Sequence, residues 1–282
     1  MNTLYIVSTP IGNLEDISAR ALRILQEVKL IAAEDTRRTK KLLDRYEIKT
    51  PLTSYYDHNK GYKLQHVMTA LEEGDLALVS DAGTPGLNDP GYRLVREALD
   101  AGHKVCPIPG PSAPIAALVV SGLPTDQFLY LGYLPRNQNE RKKFIEEISS
   151  EPYTLILFES PHRLQAAISD LFEILGDRGV SVACEMTKMY EDYFRGTLNG
   201  AQEYFQHEPI RGEYTLVVAG KTLSDRPWEE EQLRLALIDA LAGEQTSTQI
   251  ARDIAKISHW PRRKVYDLLV SLQSGKNRSG TN

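Results

Sequence analysis

LALVSDAGTPG, residues 76–86, is an apolar run of strand length that breaks into a loop of Ser, Asp, Gly, Thr and Pro. On either side of it, residues 62–72 and 92–100 place apolar side chains at helical spacing, and the second of these runs stops at Gly102, the residue type that commonly closes a helix. A further strand pattern at 105–108 runs into PGPSA, residues 109–113. The amino end repeats the scheme. Residues 4–8 read as a buried strand that leads into STPIGN, residues 8–13; Leu14, Ile17, Ala21, Leu22, Leu25 and Val28 then fall on one helical face, and 30–33 is a strand again. Strand, turn-rich loop and helix in alternation specify a mostly parallel sheet covered by helices.

The pattern breaks at SGLPTDQ, residues 121–127, and a second set of strand runs follows at 128–134, 154–158, 180–184 and 214–219. A helix over 163–175, closed by Gly176, lies among them, so this part is α/β as well. From about residue 223 only helical patterns remain. TQIARDIAK (248–256), a break at 258–261 and RRKVYDLLVSL (262–272) resemble a helix-turn-helix unit. The expected architecture is therefore α/β, with one α/β domain over 1–120, a second over 121–222 and a small helical extension over 223–282.

A length of 282 residues with 41% hydrophobic and 25% charged residues suits two buried cores. No apolar run approaches the roughly 18 residues of a membrane span, and the first residues lack the basic head and cleavage site of a secretion signal, so a cytoplasmic protein is expected. Cys106 and Cys184 both sit in apolar runs and the six histidines are scattered, which leaves no thiol or histidine metal set. The net charge of −5 argues against indiscriminate coating of nucleic acid. The tail departs from that average: residues 246–282 hold seven Lys/Arg against two acids. A solvated hairpin and a nucleic-acid arm both fit such a tail, and the run Arg262, Arg263, Lys264 favours phosphate contact.

Four turn-rich loops, at 8–13, 80–86, 109–113 and 159–163, follow strands, the position at which open α/β sheets bind ligands. None is a phosphate cradle: GxGxxG is absent, no Walker lysine follows Gly83 or Gly110, and Asp81 would repel a pyrophosphate. The implied ligand carries cationic groups and no phosphate. S-adenosylmethionine (SAM) fits, since its ammonium and sulfonium suit a carboxylate or carbonyls and its own carboxylate suits the donors of a helix start such as Ser112.

STPIGNL, SDAGTPG, PGPSA and GEYTLVV (212–218) together resemble the signature loops of the tetrapyrrole methylase superfamily, SAM enzymes with two α/β domains and the cofactor in the cleft between them. AEDTR (33–37), ESPHR (159–163) and the basic extension are similar to a branch that methylates the ribose 2′-hydroxyl of a cytidine in the decoding region of 16S ribosomal RNA. The resemblance spans residues 1–222 and the tail. It implies cofactor contacts at Pro10, Asp81, Thr84, Ser112, Ala113, Phe158, Met186 and Tyr214, and pairing into a homodimer. On pattern alone Phe158 and Met186 read as core packing and Asp81 equally as a turn residue.

A ribose hydroxyl is a poor nucleophile, so a proton acceptor or a charge facing the emerging alkoxide is expected. The candidates are Glu34, Asp35 and Arg37, Glu159 and Arg163, and Lys188; Asp35 serves equally well as a helix N-cap. Arg37, Arg38, Lys40 and Lys41 form a basic run suited to RNA phosphates, RNQNERKK (136–143) is a second candidate RNA surface, and Tyr55, Tyr56 and His58 are candidates for stacking on a base. Two rival readings remain: a tetrapyrrole C-methyltransferase, against which the basic tail and AEDTR speak, and a non-catalytic RNA-binding assembly factor.

Overall fold

The computed structural model describes residues 1–56, 62–221, 228–241, 243 and 245–276. It divides into two compact units, Met1–Lys221 and Thr222–Asn282. His58 and Arg278 lie outside the described residues.

The first unit contains two five-stranded sheets. In the first, β1 (Thr3–Val7), β2 (Leu30–Ala33), β3 (Leu52–Ser54), β4 (Leu76–Val79) and β5 (Lys104–Ile108) are ordered β3-β2-β4-β1-β5, and every pairing is parallel. All four residues of β4 are buried, as a central strand covered on both faces requires. Its covering helices are α1 (Ala19–Glu27), α2 (Thr36–Arg45), α3 (Tyr62–Glu73) and α4 (Tyr92–Asp100), whereas α5 (Ala113–Val120) packs on the second sheet, Ala117 and Leu118 meeting Ile156, Ala183 and Val217. Val7, Ile31, Ala77 and Val79 pack on one side with Ile24, Leu25, Leu42 and Leu43, while Leu4, Leu76 and Leu78 pack with Val67, Leu71 and Leu94. Burial of each such leucine contributes roughly 2 kcal/mol. The short β3 was not apparent as an apolar run, because its three residues are only half-buried at the sheet edge.

The second sheet is mixed. Its strands β6 (Phe128–Tyr133), β7 (Thr154–Glu159), β8 (Gly179–Cys184), β9 (Asp192–Thr197) and β10 (Tyr214–Val218) are ordered β6-β7-β10-β8-β9. Only β6 and β7 are parallel; β10 runs antiparallel to both β7 and β8. That reversal sets Tyr214, the first residue of β10, opposite Glu159 and Cys184 at the far ends of β7 and β8. Helices α6 (Gln138–Glu147), α7 (Leu164–Leu175) and α8 (Leu198–His207) complete this half. The edge strand β9 is polar and mostly exposed, which is why no apolar run marks it.

RNQNERKK contains the capped start of α6, with Arg136 and Lys143 exposed. Asn137 accepts the N–H groups of Asn139 and Glu140, and Arg141 turns inward, 4% exposed, to meet Asp170 of α7, 3% exposed. Their contacts measure 2.7 Å from Nε and 2.6 Å from the terminal nitrogen. Lys142 pairs with Glu173.

The second unit holds α9 (Glu230–Ala240), α10 (Ser247–Ser258) and α11 (Arg262–Lys276) around Leu233, Leu237, Ile250, Ile254, Val265 and Leu269. His259, in the left-handed conformation at φ 54°, ends α10, and the indole N–H of Trp260 donates to the Trp228 carbonyl at 2.6 Å. Arg262, Arg263 and Lys264 are exposed at the start of α11. Among the described residues no helix is long and apolar enough to cross a membrane.

The Arg141–Asp170 pair yields a stability prediction. Asp170→Ala leaves a guanidinium buried without its partner, at a cost of about 3–5 kcal/mol. Urea unfolding checks this; a loss below about 1 kcal/mol, the range of an exposed pair, contradicts it.

Candidate functional site

The loops that follow β1, β4 and β5 are tied into one structure. Thr9 and Gly83 exchange backbone hydrogen bonds of 2.8 and 2.9 Å, the Ser8 and Thr84 hydroxyls meet at 2.9 Å, and the Thr84 hydroxyl donates to the Pro111 carbonyl at 3.4 Å. Two contacts reach from these loops to the second sheet. The Asn13 N–H donates to the Thr187 hydroxyl at 3.0 Å, and the Tyr130 hydroxyl donates to Asn88 Oδ1 at 2.7 Å.

Between the loops and the second sheet lies a cleft of about 280 Å³. Asp81, Thr84, Ser112 and Ala113 line it from the first sheet, and Phe158, Met186 and Tyr214 from the second. The antiparallel course of β10 is what brings the last three together from strand ends far apart in sequence. Pro10 is not among the lining residues; it faces an adjoining hollow, and Ile11 lines the cleft instead. Met186 is held between two residues at positive φ, Glu185 (49°) and Thr187 (65°). Gly212 lies beside them at φ 81°, a left-handed conformation that favours glycine.

Of the candidate catalytic residues, Glu34 and Lys188 line the cleft. Glu34 accepts the Asp81 N–H at 3.2 Å, and burial pushes its carboxyl up against that hydrogen bond. Lys188 is held by Glu185 at 2.8 Å and Glu213 at 3.1 Å; burial opposes its charge, but the two carboxylates outweigh it and keep the ammonium above its ordinary value. It therefore stays cationic and cannot accept a proton. Asp35, Arg37 and Glu159 do not line the cleft. Asp35 is the N-cap of α2, accepting the Arg37 N–H at 2.9 Å, and hydrogen bonds from Arg37 hold its carboxyl far below the usual range. Glu159 is 2% exposed. Burial raises its carboxyl against the opposing contacts of Ser160 and Arg163, and Arg163 in turn donates to the carbonyls of Leu134 at 2.6 Å and Pro135 at 3.1 Å, so this pair joins the ends of β6 and β7. Tyr55 is buried at 4% exposure, and Tyr56 is exposed.

Several lining residues escaped the sequence reading, Asp89 among them. Asp89 lies in the same loop as Asp81, and its carboxyl is pushed up to about 6 by burial and by the neighbouring Glu34, with the Ser80 hydroxyl opposing. The dipeptide Asp89-Pro90 reads as a turn, and only its place eight residues after Asp81 in a ligand-side loop could have marked it.

The cleft suits the cation-bearing, phosphate-free ligand inferred from sequence. Glu34, Asp81, Asp89, Glu185 and Glu213 line it, while its cations Arg38 and Lys188 are already paired with lining carboxylates. Ser112, the N-cap of α5, makes no side-chain capping bond, which leaves first-turn N–H groups for a carboxylate. Phe158, Met186 and Tyr214 supply the apolar wall.

Comparison with known proteins gives one consistent result. Residues 3–202 match the family described as Tetrapyrrole (Corrin/Porphyrin) Methylases. The chain is 46% identical over 277 residues to a protein of Synechocystis sp. named ribosomal RNA small subunit methyltransferase I, covering 97% of this chain and 99% of that one. A Halalkalibacterium halodurans protein of the same name is 44% identical over 271 residues, covering 94% of each chain. Among solved structures, diphthine synthase superposes with a TM-score of 0.59 at 17% identity, covering 78% of this chain and 91% of that one. Uroporphyrin-III-C-methyltransferase from Thermus thermophilus gives 0.54 at 19% identity, covering 78% and 94%. These structural likenesses show the shared fold.

The first loop passes so close to residues 186–188 that a Cβ on Gly12 would lie 2.5 Å from Lys188 Cγ, 2.7 Å from Thr187 Oγ1 and 3.0 Å from the Met186 carbonyl oxygen. Gly12→Ala is expected to weaken binding of S-adenosylhomocysteine by about tenfold or more, a change of roughly 1.4 kcal/mol, with an unchanged far-UV spectrum. Calorimetric affinity equal to that of the unaltered protein would show that this close approach does not shape the cleft.

Proposed function

The chain belongs to the tetrapyrrole (corrin/porphyrin) methylase family, and from that premise we infer that it methylates the ribose 2′-hydroxyl of a cytidine in the decoding region of 16S ribosomal RNA. It is a SAM-dependent methyltransferase of small-subunit ribosomal RNA. The observation that supports the finer reading is a cleft rich in carboxylates, suited to a cationic cofactor, with a proton acceptor, Asp89, poised near neutrality in its lining.

Residues that suit the cofactor are Asp81 for a cationic group, the open N–H groups at Ser112 and Ala113 for its carboxylate, and Phe158, Met186 and Tyr214 for its apolar surface. When bound, SAM supplies an electrophilic methyl group. The chain contributes positioning and proton transfer. Asp89 is the preferred proton acceptor: burial first, and then the neighbouring Glu34 charge, bring its proton affinity near the working pH. Lys188, fixed as a cation, stabilises negative charge that develops nearby.

A cytoplasmic location and pairing of two chains belong to the same proposal. Ile115, Val119 and Val120 of α5 are 45%, 65% and 39% exposed, an apolar face of the kind a second copy covers. Light scattering tests the dimer.

Asp89 must be ionised to accept a proton, so kcat/KM is expected to rise with pH through about 6 and then level. Asp89→Asn is expected to remove that limb and lower kcat on the order of 10²-fold, with S-adenosylhomocysteine affinity little changed. Label transfer from SAM to small subunits, with mapping of 2′-O-methyl ribose, measures both the function and the variant. Wild-type kcat and an intact acidic limb in Asp89→Asn would exclude Asp89; label on a base or on no RNA would exclude the 2′-hydroxyl reading.

A further inference from the structure

The cleft has a neighbour. A second hollow of about 240 Å³ opens at the carboxyl ends of β1 and β4 against the first turns of α2. Arg38 and Asp81 line both cavities, and their ion pair of 3.2 Å stands between them.

The two cavities differ in chemistry. The cleft is rich in carboxylates, whereas the hollow has Asp81 alone, shared and paired, and has Arg38 and Lys41 at its rim. Arg38 is 66% exposed in its side chain, and Lys41 is exposed. Hydroxyls form the floor: Thr9, Thr39 and Ser80 are 3%, 5% and 2% exposed. The Thr9 hydroxyl donates to the Ser80 carbonyl at 3.2 Å and the Ser80 hydroxyl donates to the Ala82 carbonyl at 3.2 Å, so both oxygens keep lone pairs for an incoming hydroxyl. Pro10, Leu14 and Leu42 give an apolar wall. Cationic rim, hydroxyl floor and apolar wall match the three parts of one nucleotide: phosphate, ribose and base.

We propose that this hollow is the subsite for the target nucleotide of single-stranded RNA, its phosphate held by Arg38 and Lys41 and its ribose at the Arg38–Asp81 boundary, facing the cofactor cleft. This rests on the reading of the chain as an RNA methyltransferase and adds the place of the substrate. The boundary is built to respond to the ligand. A phosphate competes with Asp81 for the exposed guanidinium, since Arg binds phosphate in the same forked geometry as carboxylate. Asp81 stays in place when Arg38 leaves, because its Oδ1 also accepts the Asp35 N–H at 3.0 Å. Its charge then faces the cleft unneutralised, where a cationic cofactor binds. Nucleotide and cofactor thus favour each other's binding, and the coupling is reciprocal.

The test compares the full-length protein with the double variant Arg38→Gln/Lys41→Gln and a charge-matched control, Lys49→Gln/Lys104→Gln. The probes are SAM by calorimetry and small ribosomal subunits from cells lacking this protein, by binding over a salt series and by label transfer. The double variant is expected to bind SAM at least as tightly as wild type, to bind subunits about tenfold or more weakly, and to lose about 1.4 from the slope of log K against log salt, at roughly 0.7 for each cation removed from a single strand. The control is expected to match wild type. If wild type methylates RNA and the double variant binds and methylates it equally well, or no worse than the control, the subsite is overturned while the RNA methyltransferase reading stands. If wild type binds SAM but neither binds nor labels subunits, the functional reading falls and the subsite with it.

Discussion

The site depends on the reciprocal backbone bridge between Thr9 and Gly83. A parallel sheet ends in loops whose backbone groups have no ladder partners, and such loops bind ligands precariously unless those groups are satisfied. Here the β1 and β4 loops satisfy each other, and the Ser8–Thr84 and Thr84–Pro111 contacts bring in the loop after β5. The sheet order makes this possible: β1 lies between β4 and β5, so the three loops emerge side by side. Asp81 hangs from this knot with its carboxylate fixed by the Asp35 N–H, and Glu34 is fixed by the Asp81 N–H. Two carboxylates just beyond adjacent strands are therefore held at the cleft by backbone N–H groups of each other's loops.

The second sheet meets this arrangement by a different device. In a parallel sheet only carboxyl ends gather on one edge, but a reversed strand places its amino end there. β10 is reversed, so Tyr214 joins Phe158 and the segment after Cys184 on one edge, and Glu213 lies near Glu185 and Lys188. The positive φ values at Glu185 and Thr187 and the absence of a side chain at Gly212 let the segment turn tightly enough to point Met186 into the cleft. Such backbone strain persists only where surrounding contacts hold it, here the Glu185–Lys188–Glu213 ion pairs and the Glu213 N–H on Glu185.

Much of this is legible in the sequence alone. Apolar runs that end in Gly and Pro gave away the parallel sheet, and the missing phosphate-loop lysine pointed to a cationic ligand. The misreadings share one physical cause: a charged side chain in a sequence carries no label for its partner. Arg141 looked like surface cation and is a core ion pair, because Asp170 lies 29 residues away on α7. Glu159 looked like a proton acceptor and is a buried counter-ion for Arg163. Asp89 drew no notice in the sequence and is a cleft carboxylate, because the burial and the Glu34 charge that raise its proton affinity come from other parts of the fold. Pro10 lines the hollow beside the cleft, and its neighbour Ile11 lines the cleft itself. Local propensity was readable; pairing across the fold was not.

The same accounting explains why an acidic chain can act on a polyanion. With a net charge of −5, the molecule as a whole repels RNA, and attraction must come from cations that no carboxylate has already taken. Around the cleft nearly every cation is taken: Lys188 by two glutamates, Arg37 by Asp35, Arg163 by Glu159. Arg38 is the exception in kind, since its partner Asp81 has a second donor and can release it, and Lys41 beside it forms no ion pair among the described residues. The exposed start of α11 offers Arg262, Arg263 and Lys264 in the other unit. A chain built this way discriminates through a few releasable or unpaired charges at defined places. Its acidic remainder suppresses binding to RNA that does not present a nucleotide at the right point, which is how a negative net charge becomes part of selectivity.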